Sequence, residues 1–411
     1  MPEVRILELA GGGAGLARHE GRVWLVRGAL PGEIVEAVEE RRRAGIVEGR
    51  TVRVVQPGAW RDPEPCPAAG LCGGCDLANV RREAVAEALR QVVRGALRHA
   101  APALAEAVEG APVAVSPPGW RLRARLQWDR SSARLGFFAP RSHHVADIAP
   151  CRVLAPRLAA ARPRLAAALG SAGIPDGQLE WVEDLEGAHA VAGWIGPGAP
   201  PRGPVEGVDG WHPLNREGAV RAGGWGRRTV TMRLPLPLEV PVGVFFQGNR
   251  HLAPKLWERV AGMVRQLAPK RVVDLYGGVG FLGAAARHAG VGELVVVESQ
   301  PPAARAAAHN LPGAEVVPAT AEAFLAAPPP RGGTLAIVDP PREGLSRLAR
   351  RQLLAWRPAA VLALACDPAA GGRDLGTLLG AGYALAALEL WDMFGGSHHA
   401  EMVAFLVDTA A

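Results

Sequence analysis

From residue 246 onward the chain alternates short, wholly apolar runs with alanine-rich stretches. RVVDL, ELVVVE, TLAIVD and AVLALAC are each bounded by glycine or proline. Runs that are apolar at every position suit strands buried on both faces. Their alternation with helices implies a doubly wound, mostly parallel sheet, an α/β fold for residues 246–411. No other feature of the sequence restricts the architecture as tightly.

The preceding residues read differently. A chain of 411 residues has room for two or three domains. Over residues 1–57 the runs VRILEL, GRVWLV, EIVEAV and TVRVV alternate apolar and polar positions, separated by GGGAG, ALPGE and a basic patch at Arg41, Arg42 and Arg43. Short strands with glycine turns and no helical period predict a small β-barrel. Residues 58–245 open on a cysteine run. REAVAEALRQVVRGALRHA follows, in which Val85, Leu89, Val92, Val93 and Leu97 recur at helical spacing. That spacing predicts an amphipathic helix over residues 83–99 packed on a neighbouring domain, with the stretch at Pro117 and Pro118 as its end. WRLRARLQW and ARLGFF return to a strand-like pattern, and IGPGAPPRGP at 195–204 reads as a loop.

Hydrophobic residues make up 49% of the chain and charged ones 21%, so disorder is not the expected state. The net charge is +6, with arginine far in excess of lysine, which suits a polyanionic partner. A GC-rich coding bias would give the same composition, and both explanations stay open. No basic stretch leads into an apolar segment near residue 1, and no apolar run reaches the length of a membrane span. A cytoplasmic protein with no membrane partner is the expectation. In a reducing compartment, a tight cysteine set is more often a metal site than a disulfide framework.

Three places carry candidate chemistry. RVVDL runs into YGGVG and a helix, and the next apolar run ends in Glu298. A glycine turn lets backbone approach a ligand, and an acid at the second strand end can accept from ribose hydroxyls. The spacing is not the full GxGxxG of dinucleotide sites and suits S-adenosylmethionine better, although a plain tight turn would look similar. TLAIVD ends in Asp339, followed by Pro340 and Pro341, which fix the path of a loop at the carboxyl edge. Cys366 stands at the end of AVLALA on that same edge; an inert core cysteine would read alike, but its strand-end position favours a nucleophile. Ser397, His398, His399 and Glu401 precede the last apolar run, as an acid-base site or as a solvated loop. The other four cysteines, Cys66, Cys72, Cys75 and distant Cys151, form a four-thiolate set suited to zinc or to a [4Fe-4S] cluster. Their gaps differ from the CxxxCxxC of radical S-adenosylmethionine enzymes.

Taken in order, the CxxxxxCGGC run, GFFAPRSHHVADIAPC, FFQGN, DLYGGVG, DPPREGL, LACDP and DMFGGSHHAE resemble the S-adenosylmethionine-dependent RNA 5-methyluridine methyltransferases over nearly the whole chain. The resemblance implies a Rossmann-like methyltransferase domain, an N-terminal TRAM/OB-like barrel that binds RNA, and a central iron-sulfur α+β domain. It places the nucleophile on Cys366, the general base on Glu401, and cofactor contacts on Gln247, Tyr276, Glu298 and Asp339. It makes Cys66, Cys72, Cys75 and Cys151 the ligands of a closed, structural cluster. It further implies a monomer acting on RNA, with 23S rRNA favoured over uridine 54 of tRNA. A catalytically silent RNA-binding paralogue is the alternative, raised by departures from the family pattern. Phe281 stands where Asn is frequent, Ala319-Thr320 for Gly-Asp, Gly395-Gly396 for Pro-Gln, and Asp367 for Asn. Cytosine methylation is set aside, since Asp339-Pro340-Pro341 lacks the cysteine that chemistry adds there.

Overall fold

A computed structural model describes residues 1–148, 150–199, 201 and 203–410. The expected proline-rich loop at 195–204 lies partly outside the described residues, at 200 and 202. Strands Glu3–Leu9, Gly15–His19, Arg22–Arg27, Ile34–Arg43 and Ile46–Gln56 close into a five-stranded barrel. Alternate side chains, Val4, Ile6, Trp24, Val26 and Val35 among them, fill its interior. The short strand Gly15–His19 escapes the sequence pattern because GLARH carries no β-branched residue. The basic patch is a strand end rather than a connection: Arg41, Arg42 and Arg43 pair with Glu48, Val47 and Ile46. That arm stands clear of the barrel core, so it needs no inward apolar side chains.

Helix Val85–Leu97 buries Ala88, Leu89, Val92, Val93 and Leu97 along one stripe. It lies between the barrel and the C-terminal sheet. On one side Gly11 and Gly95 permit close backbone approach: a Cβ on Gly11 would sit 2.8 Å from Ala96 N, and one on Gly95 would sit 2.9 Å from Gly11 N. On the other side Leu97 fills the space that a side chain at Gly372 would need. The helix stops well before Pro117. Pro102 excludes Ala101 from the helical region (φ −152°, ψ 72°) and opens a second helix, Pro102–Gly110. Val113–Ala114 then adds an edge strand to the C-terminal sheet, so the central stretch contributes directly to it.

Strands Arg123–Asp129, Gly177–Glu183 and Ala190–Ile195 lie within a six-stranded sheet. ARLGFF yields only Arg134–Gly136, because Phe137 and Phe138 leave the ladder to pair with Ala146 and Val145. The C-terminal sheet has eight strands in the order 315–317, 293–297, 271–275, 334–338, 360–365, 401–408, 383–391, 113–114. The first five are mutually parallel, and Glu401–Asp408 enters antiparallel. Among the described residues, no helix is long and apolar enough to cross a membrane.

Candidate active site and cysteine-lined cavity

Parallel strands deliver their last residues to one edge. Leu275, Val297, Val338 and Ala365 end adjacent or near-adjacent strands, so Tyr276, Glu298, Asp339 and Cys366 emerge together. Strand Glu401–Asp408 runs the opposite way, with Met402 opposite Ala365, so it begins where its neighbour ends. Glu401 therefore comes to the Cys366 edge, which spacing along the chain could not reveal.

Gln247 joins this group by donating from Nε2 to Asp339 Oδ2 at 3.3 Å. Glu401 is 2% exposed, and its Oε1 has no hydrogen-bond partner. Burial raises its carboxyl well above the usual range, and the neighbouring Asp339 carboxylate adds to the effect. Asp339 is itself pushed up to about 7 by burial, against the Gln247 hydrogen bond. A buried carboxyl facing a second one gives up its proton less readily than an exposed acid. The Cys366 thiol is pushed up to about 12 by burial, then by Glu401 and Asp339, with Arg342 acting in the opposite direction.

The glycine turn forms a cradle beside this group. Glu298 Oε2 accepts from Gly278 N at 2.9 Å, and Oε1 from Gln300 N at 2.6 Å, which fixes the acid against the turn. A Cβ on Gly278 would meet nothing within 4 Å, so a bound molecule can approach that backbone. Tyr276 takes the left-handed conformation (φ 63°), a costly one for an aromatic residue. Its phenol, raised to about 12 by burial, senses Glu322 and Asp374 instead of the Asp339 group. Asp274, the first residue of the DLYGGVG motif, accepts at Oδ2 from Gly283 N at 2.8 Å and ties the strand to the helix that follows the turn.

Cys66, Cys72, Cys75 and Cys151 all line one cavity of about 260 Å³. Burial pushes the Cys75 thiol up to about 12 and raises Cys72 as well. Among the described residues, no three His, Cys, Asp or Glu side chains form a group able to hold a metal ion as they stand. Arg121, which sequence reading did not single out, lies against the Trp120 ring at 4.6 Å and the Phe137 ring at 5.2 Å. Both rings line the cysteine cavity.

The departures from the family pattern each have a local fit. Phe281 packs edge-on against Phe246 with ring centroids 5.3 Å apart. Thr320 caps helix Ala321–Phe324, its hydroxyl accepting from Ala323 N at 3.2 Å. Asp367 caps helix Pro368–Gly380 through Ala370 N at 2.9 Å. A Cβ on Gly395 would lie 2.8 Å from Trp120 Nε1, and Gly396 has φ 87°.

Buried acids leave a signature in stability. Burial pushes Asp274 up to about 8, and Asp392 and Glu183 up to about 7. Each holds its proton at pH values where the unfolded chain has released it. The stability these three acids contribute therefore falls as pH rises from about 4 to about 8. Asp392→Asn keeps an acceptor for Ser116 N, now 3.1 Å from Oδ2. Its thermal midpoint should decline less steeply than that of the wild type between about pH 5 and 8. Equal slopes would mean that Asp392 is already ionised in the native protein.

Comparison with known proteins adds independent observations. Residues 2–52 match the TRAM domain family. A protein of Alkalilimnicola ehrlichii named 23S rRNA (uracil(1939)-C(5))-methyltransferase RlmD is 30% identical, over 98% of this chain and 95% of its own length. A Pseudomonas aeruginosa protein of the same name is 30% identical over 97% of this chain and 92% of its own. An RNA methyltransferase from Streptomyces avermitilis is 30% identical over 99% and 98%. The fold matches that of the Pyrococcus abyssi tRNA (uracil-54, C5)-methyltransferase solved with S-adenosyl-L-homocysteine. The TM-score is 0.76 at 21% identity, over 99% of this chain and 100% of that one.

Proposed function

Because this chain belongs to the family of RNA uracil-C5 methyltransferases, we propose that it methylates C5 of a uridine in 23S rRNA, with Cys366 as nucleophile and Glu401 as base. The observation that carries the reading is the meeting of Cys366, Asp339 and Glu401 at one sheet edge beside an open glycine turn.

C5 of uracil is not nucleophilic by itself. The Cys366 thiol gives up its proton to solvent as its sulfur adds to C6, and the C5=C6 electrons pass to an enolate whose C5 can attack a methyl carbon. S-adenosylmethionine, which the glycine turn would hold, would supply that methyl group as a sulfonium. Glu401 then takes the C5 proton. The freed electron pair rebuilds C5=C6, and the C6–Sγ bond breaks to return the thiolate. Glu298, Tyr276 and the glycine turn hold the methyl donor, while Gln247 orients Asp339 next to the reacting atoms.

The target uridine must leave its stack to reach Cys366. Phe245, 57% exposed and two residues from Gln247, carries the Arg123 guanidinium over its ring at 5.6 Å and offers an exposed aromatic surface for an unstacked base. The arm carrying Arg41, Arg42 and Arg43 supplies positive charge for the phosphate backbone.

Cys66, Cys72, Cys75 and Cys151 would hold a [4Fe-4S] cluster, the group that the family resemblance favours over zinc. Four thiols lining one cavity supply the donor chemistry such a cluster takes. Held by four protein thiolates, such a cluster would serve structure rather than redox chemistry. Anaerobically purified protein is expected to be brown, and Cys72→Ser to lose most of its iron and visible absorbance. A colourless preparation with one zinc per chain would overturn this assignment.

Mapping 5-methyluridine in rRNA and tRNA from a deletion strain tests the whole reading. Loss at one 23S rRNA position, restored by the gene but not by its Cys366→Ala form, is the expected result. Loss from tRNA alone would redirect the substrate, and no loss in either would overturn the proposal.

A further inference from the structure

The loop 392–400 that leads into Glu401 is held in two halves. Its first half rests on the central segment and on Asn249. Ser116 N donates to Asp392 Oδ2 at 3.1 Å, Trp120 Nε1 to Gly395 O at 3.2 Å, and Asn249 Nδ2 to Asp392 O and Met393 O at 3.2 and 3.3 Å. The second half rests on the cysteine run. Leu77 N donates to Gly396 O at 2.9 Å, and His398 N donates to Asp76 Oδ1 at 2.9 Å. Asp76 Oδ2 also engages His398 Nδ1, so one carboxylate grips both the backbone and the ring of His398.

Packing closes the same joint. A Cβ on Gly396 would lie 3.3 Å from Cys75 Sγ, so the loop runs directly over a candidate cluster ligand. From the barrel, Gly13 (φ 77°) comes so near that its Cβ would lie 2.7 Å from His398 Cβ. Barrel, cysteine run and catalytic sheet thus meet at one histidine. Glu401 lies three residues beyond it with Oε1 unpartnered, so hydrogen bonds to that oxygen do not aim the carboxyl. Its aim depends on backbone placement, set by the sheet on one side and by this loop on the other.

We propose that Asp76 and His398 form a latch through which the cysteine-lined site positions Glu401 for removal of the C5 proton. Both are positioning residues, and the inference rests on the uridine-C5 reading above. The latch bears on one step of the reaction. Cys366, which adds to C6, directly follows strand 360–365, and none of the hydrogen bonds of the latch reaches that strand end. Resolution of the adduct needs the Glu401 carboxylate at the C5–H bond, so opening the latch delays that step selectively.

The test uses full-length, cluster-loaded protein in single turnover with RNA transcripts containing [5-3H]uridine. Denaturant-stable protein-RNA adduct and released tritium are followed in parallel. His398→Ala, distant in sequence from the cysteines, is expected to form adduct within about threefold of the wild-type rate. Its tritium release should slow by at least about tenfold, so that adduct accumulates. Asp76→Asn, which keeps an acceptor for His398 N but loses the charge facing the ring, should lie between the two. Iron content and visible absorbance of His398→Ala should match the wild type, which separates positioning from loss of the cluster. Unchanged tritium release in His398→Ala, or adduct formation and release slowed equally, overturns the latch alone. Wild-type protein that releases no tritium from any transcript overturns the uridine-C5 reading, and the latch with it.

Discussion

Cys366→Ala is expected to form no covalent adduct with 5-fluorouridine-containing RNA and to lose methylation by about 10⁴-fold or more, because no other group in the site can activate C5. Among the described residues, the remaining four cysteines line a separate cavity, and Cys366 alone stands at the sheet edge beside Asp339 and Glu401. Fluorine at C5 cannot leave as a cation, so wild-type protein should stop at the adduct and appear as a slower band in a denaturing gel. The variant should still bind RNA and S-adenosylmethionine, since Cys366 contributes to neither cradle nor barrel. An adduct that persists in Cys366→Ala would place the nucleophile elsewhere. A wild type that forms none with any RNA would remove the mechanism altogether.

The second large effect is expected from Glu401→Gln, with the opposite signature. The glutamine is isosteric and removes only the ability to accept the C5 proton. The thiol can still add and the methyl can still transfer, so the variant should accumulate a methylated covalent adduct with ordinary uridine RNA. Turnover should fall by about 10³-fold, within the range typical of a lost general base. The environment supports this assignment. Burial and Asp339 raise the Glu401 carboxyl well above its ordinary range, which strengthens it as a base once its proton is gone. A Glu401→Gln protein that releases its RNA at the wild-type rate would transfer the role to another group.

The two variants divide the reaction at the adduct, one blocking its formation and the other its decay. The latch variants should resemble Glu401→Gln in milder form, since Asp76 and His398 act on the same step through the loop.

Much of the architecture was legible along the chain because the signals are local. Apolar runs bounded by glycine or proline gave the parallel strands, and alternation gave most of the barrel. The stripe Leu89, Val92, Val93 and Leu97 gave the helix that joins them. Where pattern reading failed, the cause was a missing local signal. GLARH forms a strand only because its neighbours pair with it, and Arg41, Arg42 and Arg43 extend a strand that needs no apolar face. The residues that differ from the family pattern were legible as differences but not as fits. Thr320 takes over a helix cap, and Gly396 allows the chain to pass over Cys75.

By itself the sequence determined the fold class and the residue types of the chemistry: a thiol and an acid at strand ends, a glycine turn, and a four-cysteine set. Each is written in neighbouring residues and follows from short-range sterics and periodicity. Only the tertiary structure decided which of these meet. Glu401 reaches Cys366 because one strand enters the sheet antiparallel beside its neighbour. His398 meets Asp76, 322 residues away, because three folded parts converge on one loop. Strand order and domain packing are set by burial summed over the whole chain, and no local stretch of sequence carries that sum.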